Sequence, residues 1–384
     1  MSLVASAVVG LDAPAPVGFA EKIWRINWGL ALVLTAIAGI GVVALYSAAG
    51  GRFDPWAARH AVRYGVAFGL MLVVALMHPK VWLALAWPIY IVSLLLLVAV
   101  DVVGKTGMGA QRWLMIGPMQ IQPSEITKVA VILVLARYYH GLSREQAGRL
   151  LFVVPPLLVI LAPVALVMVQ PDLGTAMMVL LGGGAILFVA GVRLWMFLGA
   201  IVAAIGCLPL AWSFMHEYQR KRVLTFLDPD RDPLGAGYHI TQSKIAIGSG
   251  GLFGKGFLKG TQSSLNFLPE KQTDFIFTTF VEEWGMVGAL VLLALFALVL
   301  VWGFSIALRS QHHFGRLVAL GVTAMMFLYV FINTAMVMGL LPVVGVPLPL
   351  VSNGGTAMVS VMFACGLLIG VNVYRDAQLP RATR

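Results

Sequence analysis

Asp274 stands where a polar stretch runs directly into an apolar one. Residues 268–283 read Leu-Pro-Glu-Lys-Gln-Thr-Asp-Phe-Ile-Phe-Thr-Thr-Phe-Val-Glu-Glu, so three apolar side chains follow the acid at once, and Glu282 and Glu283 come about two helical turns later. The chain is 60% hydrophobic and only 11% charged. Carboxylates in such a setting are expensive, at ~2.5–3.5 kcal/mol each at mid-bilayer and less near the surface, so they are functional candidates by default. The plainer reading is that an acid at a helix start caps free N–H groups and favours the helix dipole. Glu282 and Glu283 fit that plainer reading better than Asp274 does.

A second set of residues could hold an anion. Pro123-Ser124-Glu125 reads as a helix start, with Lys128 one turn further in and Arg112-Trp113 upstream. Glu125 and Lys128, three apart, share a helix face and could simply neutralise each other. Alternatively Lys128 and Arg112 anchor a phosphate group beside the membrane, with Trp113 at headgroup level. The stretch 248–256, Gly-Ser-Gly-Gly-Leu-Phe-Gly-Lys-Gly, would let backbone N–H groups approach an anion, but it has no Gly-Lys-[Ser/Thr]. Nucleotide binding is therefore not expected from it. Arg220-Lys221-Arg222 adds a cationic patch.

The elements that position these residues are read from hydropathy. A mean hydropathy of +0.92 places the chain in the membrane class. About ten apolar runs are long enough to span ~30 Å, at roughly 27–47, 61–77, 81–100, 124–139, 151–169, 175–191, 194–213, 275–308, 314–337 and 356–374. The eighth is longer than a bilayer needs. An all-α polytopic fold follows, as one domain over 1–384 with a cytoplasmic segment 1–26, an extracytoplasmic loop 214–273 between the seventh and eighth spans, and a cytoplasmic tail 375–384. Residues 1–21 lack the basic start and cleavage site of a secretory signal. Twelve Lys and Arg fall in segments on the side of the termini, against six in or beside the short loops opposite, so both termini are expected in the cytoplasm.

The net charge of +10 follows largely from that topology. No compact basic stripe with interleaved aromatics supports nucleic-acid binding. Cys207 and Cys365 fall within spans and read as packing residues, and no His or Cys spacing suggests zinc. Four polar-rich segments, 101–125, 170–175, 214–273 and 339–356, converge on the outer face. The last, with Pro and Gly interrupting an apolar run, reads as a re-entrant loop ending in the donor-rich turn Ser352-Asn-Gly-Gly.

Together these segments resemble the SEDS family (shape, elongation, division and sporulation) of bacterial cell-wall polymerases, over about residues 27–374. The resemblance rests on Arg112-Trp-Leu, Gln122-Pro-Ser-Glu-Ile-Thr-Lys128, Gln170-Pro-Asp-Leu-Gly-Thr175, Arg222 before Phe226-Leu-Asp-Pro229, Gly260-Thr-Gln262, Thr273-Asp-Phe-Ile-Phe277, Glu282-Glu283 and Pro347-Leu-Pro with Ser352, in that order. The runs at 261–269 and 339–349 are similar to the elongation branch rather than the division branch. Asn353 stands where many members have tyrosine.

What the resemblance implies is a peptidoglycan glycosyltransferase in the bacterial inner membrane that polymerises lipid II, a disaccharide-pentapeptide on a polyprenyl diphosphate, for elongation and rod shape. Asp274 matches the family's essential acid and would be the general base. The substrate-binding set would be Arg112, Glu125, Lys128, Arg222, Gln242, Lys271 and Ser352. A divalent cation such as magnesium would share the leaving-group charge, although no ligand set is legible. The implied partners are a class B penicillin-binding protein transpeptidase and elongation-complex proteins such as MreC, MreD and RodZ. The alternatives are a flippase for the same lipid, to which the absence of an internal repeat is opposed, and a division-branch polymerase.

Overall fold

In the computed structural model the described residues are 18–379, apart from 108, 109, 118, 208, 210, 211, 214, 216, 229–235, 266 and 269. A short helix α1 (Phe19–Arg25) leads into three long ones, α2 (Trp28–Ala48), α3 (Ala57–Leu76) and α4 (Pro79–Val103). Three short strands follow, β1 (Lys105–Gly107), β2 (Ala110–Ile116) and β3 (Met119–Ile121), then α5 (Pro123–His140), α6 (Arg144–Ala147), α7 (Leu150–Val169), α8 (Leu173–Ala190) and α9 (Leu194–Gly206). The expected long loop contains α10 (Glu217–Leu227), α11 (Ala236–Gly250) and α12 (Thr261–Ser264). The chain closes with α13 (Ile276–Arg309), α14 (His313–Val337) and α15 (Gly355–Val373).

Eight of these helices are long and apolar enough to cross a membrane. The two other expected spans correspond to α5 and α9, so the count of ten is not reached on length and composition alone. Helix α9 has 13 residues. Helix α5 carries Glu125, Lys128 and Arg137, yet fifteen of its eighteen residues are buried. It is the axis of the bundle, sheathed by protein, and a helix so placed can hold charge that lipid would reject.

The strands depart from an all-helical reading. They form one antiparallel meander in the order β1-β2-β3, with Leu114 opposite Ile121. β-branched and aromatic residues favour the extended state here, and Gly117 takes φ 61° at the β2–β3 turn, where only glycine is comfortable.

The two ends of the bundle differ. At one, Arg25 pairs with Asp376 at 3.0 Å, Asn372 donates to Arg25 O, and the Tyr374 hydroxyl donates to Leu76 O. The segments before α2 and after α15 are therefore side by side. At the other end lie the strands, α11 and an irregular stretch, 339–354, between α14 and α15.

The excess length of the eighth span has a structural explanation. Helix α13 is broken at Gly285 (φ 67°, ψ −167°). Residues 286–309 alone extend roughly 36 Å, enough to span. Backbone from the glycine-rich stretch fills the break: Lys255 N donates to Glu282 O, Gly256 N to Glu283 O, Met286 N to Gly251 O and Val287 N to Leu252 O. The glycines serve this close approach rather than an anion.

A Cβ on Gly254 (φ 79°) would lie 2.0 Å from Glu283 O, whereas one on Gly248 would meet nothing within 4 Å. Gly254→Ala is expected to cost about 2–5 kcal/mol, from left-handed strain plus overpacking. Gly248→Ala should change stability by no more than about 1 kcal/mol. Thermal unfolding of the purified variants measures both, and equal stability would contradict the packing.

Candidate active site

Asp274 sits at the end of a tight turn that feeds α13. Glu270, itself at φ 55°, accepts on its carbonyl from Thr273 N (3.0 Å) and Phe275 N (3.3 Å). The Thr273 hydroxyl donates to the Glu270 carboxylate at 2.8 Å. Phe275 then buries against the His239 ring of α11, their centroids 6.2 Å apart. Asp274 is left half-buried at the mouth of the bundle.

The irregular segment 339–354 holds this turn from the other side. The Ser352 hydroxyl donates to Thr273 O (2.7 Å) and accepts from Leu348 N (2.8 Å). Asn353 N donates to Gln272 O at 2.8 Å. A Cβ on Gly345 (φ 75°) would stand 3.5 Å from Asp274 Oδ2, so the segment forms a wall beside the carboxylate. Cations bracket the segment. The Lys244 side chain lies over Gly339, and Arg63 donates to Asn353 Oδ1 at 3.1 Å.

Of the residues expected at the site, Asp274, Lys271 and Ser352 are brought together. Gln242 lies nearby on α11, half-buried, on a helix docked to α13 and α14 through Ser243, which bonds Thr278 Oγ1 (2.7 Å) and donates to Val337 O (2.8 Å). Lys271 is also half-buried, and desolvation lowers its pKa from the usual lysine value. The side chain of Arg222, on α10, lies outside the described residues.

Glu125 and Lys128 form a separate cluster with Tyr329, and Arg112 binds the turn before α8. Lys128 pairs with Glu125 at 2.7 Å, and the Tyr329 hydroxyl donates to Glu125 Oε2 at 2.6 Å. The Lys128 ammonium lies 4.3 Å from the Tyr329 ring centroid. All three side chains are buried. The mutual neutralisation allowed by the three-residue spacing is thus made, and the lysine points inward. Arg112 clamps a turn, donating to Gln170 O and Pro171 O, while Asp172 caps α8 at Thr175 and accepts from Gln122 Nε2 at 3.2 Å. The irregular segment reaches α8, because a Cβ on Gly174 would lie 2.5 Å from Val344 O, and just beyond it Thr356, in the first turn of α15, donates to Gln120 O and accepts from Gln122 N.

Glu282 and Glu283 are buried fastenings. Glu282 Oε1 accepts from Lys255 Nζ (2.8 Å), Thr261 N (2.8 Å), Thr261 Oγ1 (3.0 Å) and Gln262 N (3.0 Å), and Glu283 accepts from Ser47. Arg63, Lys244 and Asn333 were missed in the sequence, since isolated polar residues near span ends carry no spacing signal. Among the described residues no group of three or more His, Cys, Asp or Glu could hold a metal, so magnesium here would depend on substrate phosphates for most of its ligands. A cavity of about 450 Å³ among Trp87, Tyr138, Phe152 and Val159 shares no residue with the Asp274 turn.

A polytopic helical bundle with an irregular segment walled against a carboxylate defines the class. Residues 27–377 match the family model for the cell cycle proteins FtsW, RodA and SpoVE, and the chain belongs to this family. It is 45% identical over 374 residues to the peptidoglycan glycosyltransferase MrdB of Escherichia coli K12, covering 95% of this chain and 98% of that one. Its fold is similar to a chain in the structure described as "Structural coordination of polymerization and crosslinking by a peptidoglycan synthase complex", with a TM-score of 0.80, 34% identity, and 92% and 99% of the two chains covered. The crystal structure of the Thermus thermophilus rod shape determining protein RodA gives a TM-score of 0.69 at 30% identity, covering 92% and 98%.

Lys128→Met strands Glu125 as a buried, unpaired acid and should cost about 3–5 kcal/mol. Glu125→Gln/Lys128→Met should recover most of that loss, as measured by unfolding of the purified proteins in a double-mutant cycle. A double-variant loss equal to the sum of the Glu125→Gln and Lys128→Met losses would show that the pair is not coupled.

Proposed function

We propose that this chain extends glycan strands from lipid II at the outer face of the membrane, with Asp274 as general base. The chain is a peptidoglycan glycosyltransferase of the elongation type. The observation that carries the base assignment is the half-buried Asp274 carboxylate at the mouth of the bundle, walled by Gly345. In the proposed step an acceptor sugar hydroxyl attacks C1 of the donor sugar with inversion. Its proton passes to Asp274, the bond from C1 to the diphosphate oxygen breaks, and the electron pair leaves with the polyprenyl diphosphate. A placed base contributes ~10²–10⁴-fold.

Charge builds on the diphosphate, and fixed cations stabilise it best where water is scarce. Lys271, with Lys244 and Arg63 at the two ends of the irregular segment, lies nearest to that task, Gln242 extends the substrate surface along α11, and Arg222 remains a proposed substrate ligand from its motif. Ser352, with its hydroxyl donating to Thr273 O and accepting from Leu348 N, shapes the site. Arg112, Glu125 and Lys128 shape it from behind the segment, with the lysine charge matched by Glu125 and the arginine charge by Asp172. No step is routed through a metal ion.

The partner proposed for crosslinking is a class B penicillin-binding protein, in keeping with the synthase complex whose chain this one is similar to, and MreC, MreD and RodZ would be further partners. A flippase would leave lipid II chemically unchanged, and a division-branch polymerase would share the chemistry. The 45% identity to MrdB favours elongation.

Purified Asp274→Asn, incubated with lipid II, is expected to polymerise ~10²–10⁴-fold more slowly than the parent while keeping its unfolding temperature. Polymer at near-parental rate from the folded variant would remove the base assignment. The proposed orientation has its own check, in a background lacking Cys207 and Cys365. Leu265→Cys should react with an impermeant maleimide in intact spheroplasts, and Ser143→Cys should react only after the membrane is opened. The reverse pattern would put Asp274 in the cytoplasm.

A further inference from the structure

Asn333 lies on α14, about one turn before its end at Val337, and is fully buried. Its amide nitrogen donates to two carbonyls, Asp274 O at 3.0 Å and Val346 O at 2.7 Å. Because both neighbours are acceptors, the orientation of the amide is fixed by its surroundings. Val346 follows Gly345, the residue that walls the Asp274 carboxylate. One NH2 group thus ties the backbone of Asp274 to the backbone of its wall, and it sets the gap in which the carboxylate lies.

Packing does not explain the residue. Asn333 Oδ1 finds no partner among the described residues, so the side chain gains its two donor bonds while leaving a buried acceptor unpaired. A leucine would fill much the same volume but would leave Asp274 O and Val346 O without this donor, so the residue is kept for what it holds and not for its bulk. Buried polar groups kept in this way call for a specific explanation, and a functional role is one.

We propose that Asn333 is a positioning residue for Asp274, which rests on the reading of Asp274 as the base. It acts through backbone, so it should govern the rate of the chemical step and not the binding of lipid II. A misplacement of ~1 Å can cost ~10²-fold in rate.

The test uses purified full-length protein, with lipid II binding, unfolding temperature and steady-state polymerisation measured on each variant. Asn333→Leu is expected to lower kcat by about 10–10²-fold with KM for lipid II within about threefold. Asn333→Ser, which retains one donor, should fall between it and the parent. In the Asp274→Asn background, Asn333→Leu should cause little further loss. A folded Asn333→Leu with kcat within threefold of the parent, beside an inactive Asp274→Asn, overturns the positioning role alone. An active Asp274→Asn overturns both readings. Should neither Asn333 variant fold, the residue is structural and the proposal is overturned as well.

Discussion

Backbone polar groups of a non-helical segment between membrane helices must find partners within the protein, and much of this fold follows from that constraint. Residues 339–354 connect α14 to α15 without forming a helix. Their needs are met one by one from the surrounding elements. Leu350 O is met by His60 of α3 at 2.9 Å, Val346 O by Asn333, and Leu348 N by the Ser352 hydroxyl. Asn353 N finds Gln272 O. Small residues let the segment come this close: a Cβ on Gly41 would lie 2.5 Å from Leu350 O, and one on Gly174 would meet Val344 O at the same distance. The partners that satisfy the segment also hold the turn bearing Asp274. Solving the hydrogen-bond problem places the carboxylate.

The same economy operates about three turns beyond Asp274, within α13. A helix of 34 residues is too long for the bilayer, and its break at Gly285 leaves carbonyls unmatched within the helix. The stretch 251–256 supplies the missing partners, and Glu282 anchors it through Lys255 and Thr261. The loop between α9 and α13 is therefore fastened to the helix that follows Asp274. Ser47 at the end of α2 ties in the rest of the bundle through Glu283.

Much of this was legible in residue order. The apolar runs marked every long helix, and Pro and Gly within an apolar stretch marked 339–356 as irregular. Asp274 stood out because an acid entering hydrocarbon is costly. Direction was harder to read. Lys128 has the same spacing from Glu125 whether it faces a substrate or the bundle axis, and the deciding residue, Tyr329, lies 201 positions away. Ser352 looked like a substrate donor because its hydroxyl partner, Thr273, is 79 positions distant. The strands at 105–121 were hidden because short polar-apolar alternation between helices resembles a loop. Asn333 gave no signal at all, since a lone amide in a span has no period.

The central claim is that the Asp274 turn and the irregular segment are one structural unit. Amide hydrogen exchange on the protein in nanodiscs measures this directly. Leu348, Ser352 and Asn353 should exchange slowly and with the same opening free energy as Thr273, Phe275 and the first turn of α13. Ser352→Ala should raise exchange in both segments together. Rapid exchange throughout 344–353 while the 273–279 amides stay protected would contradict the account.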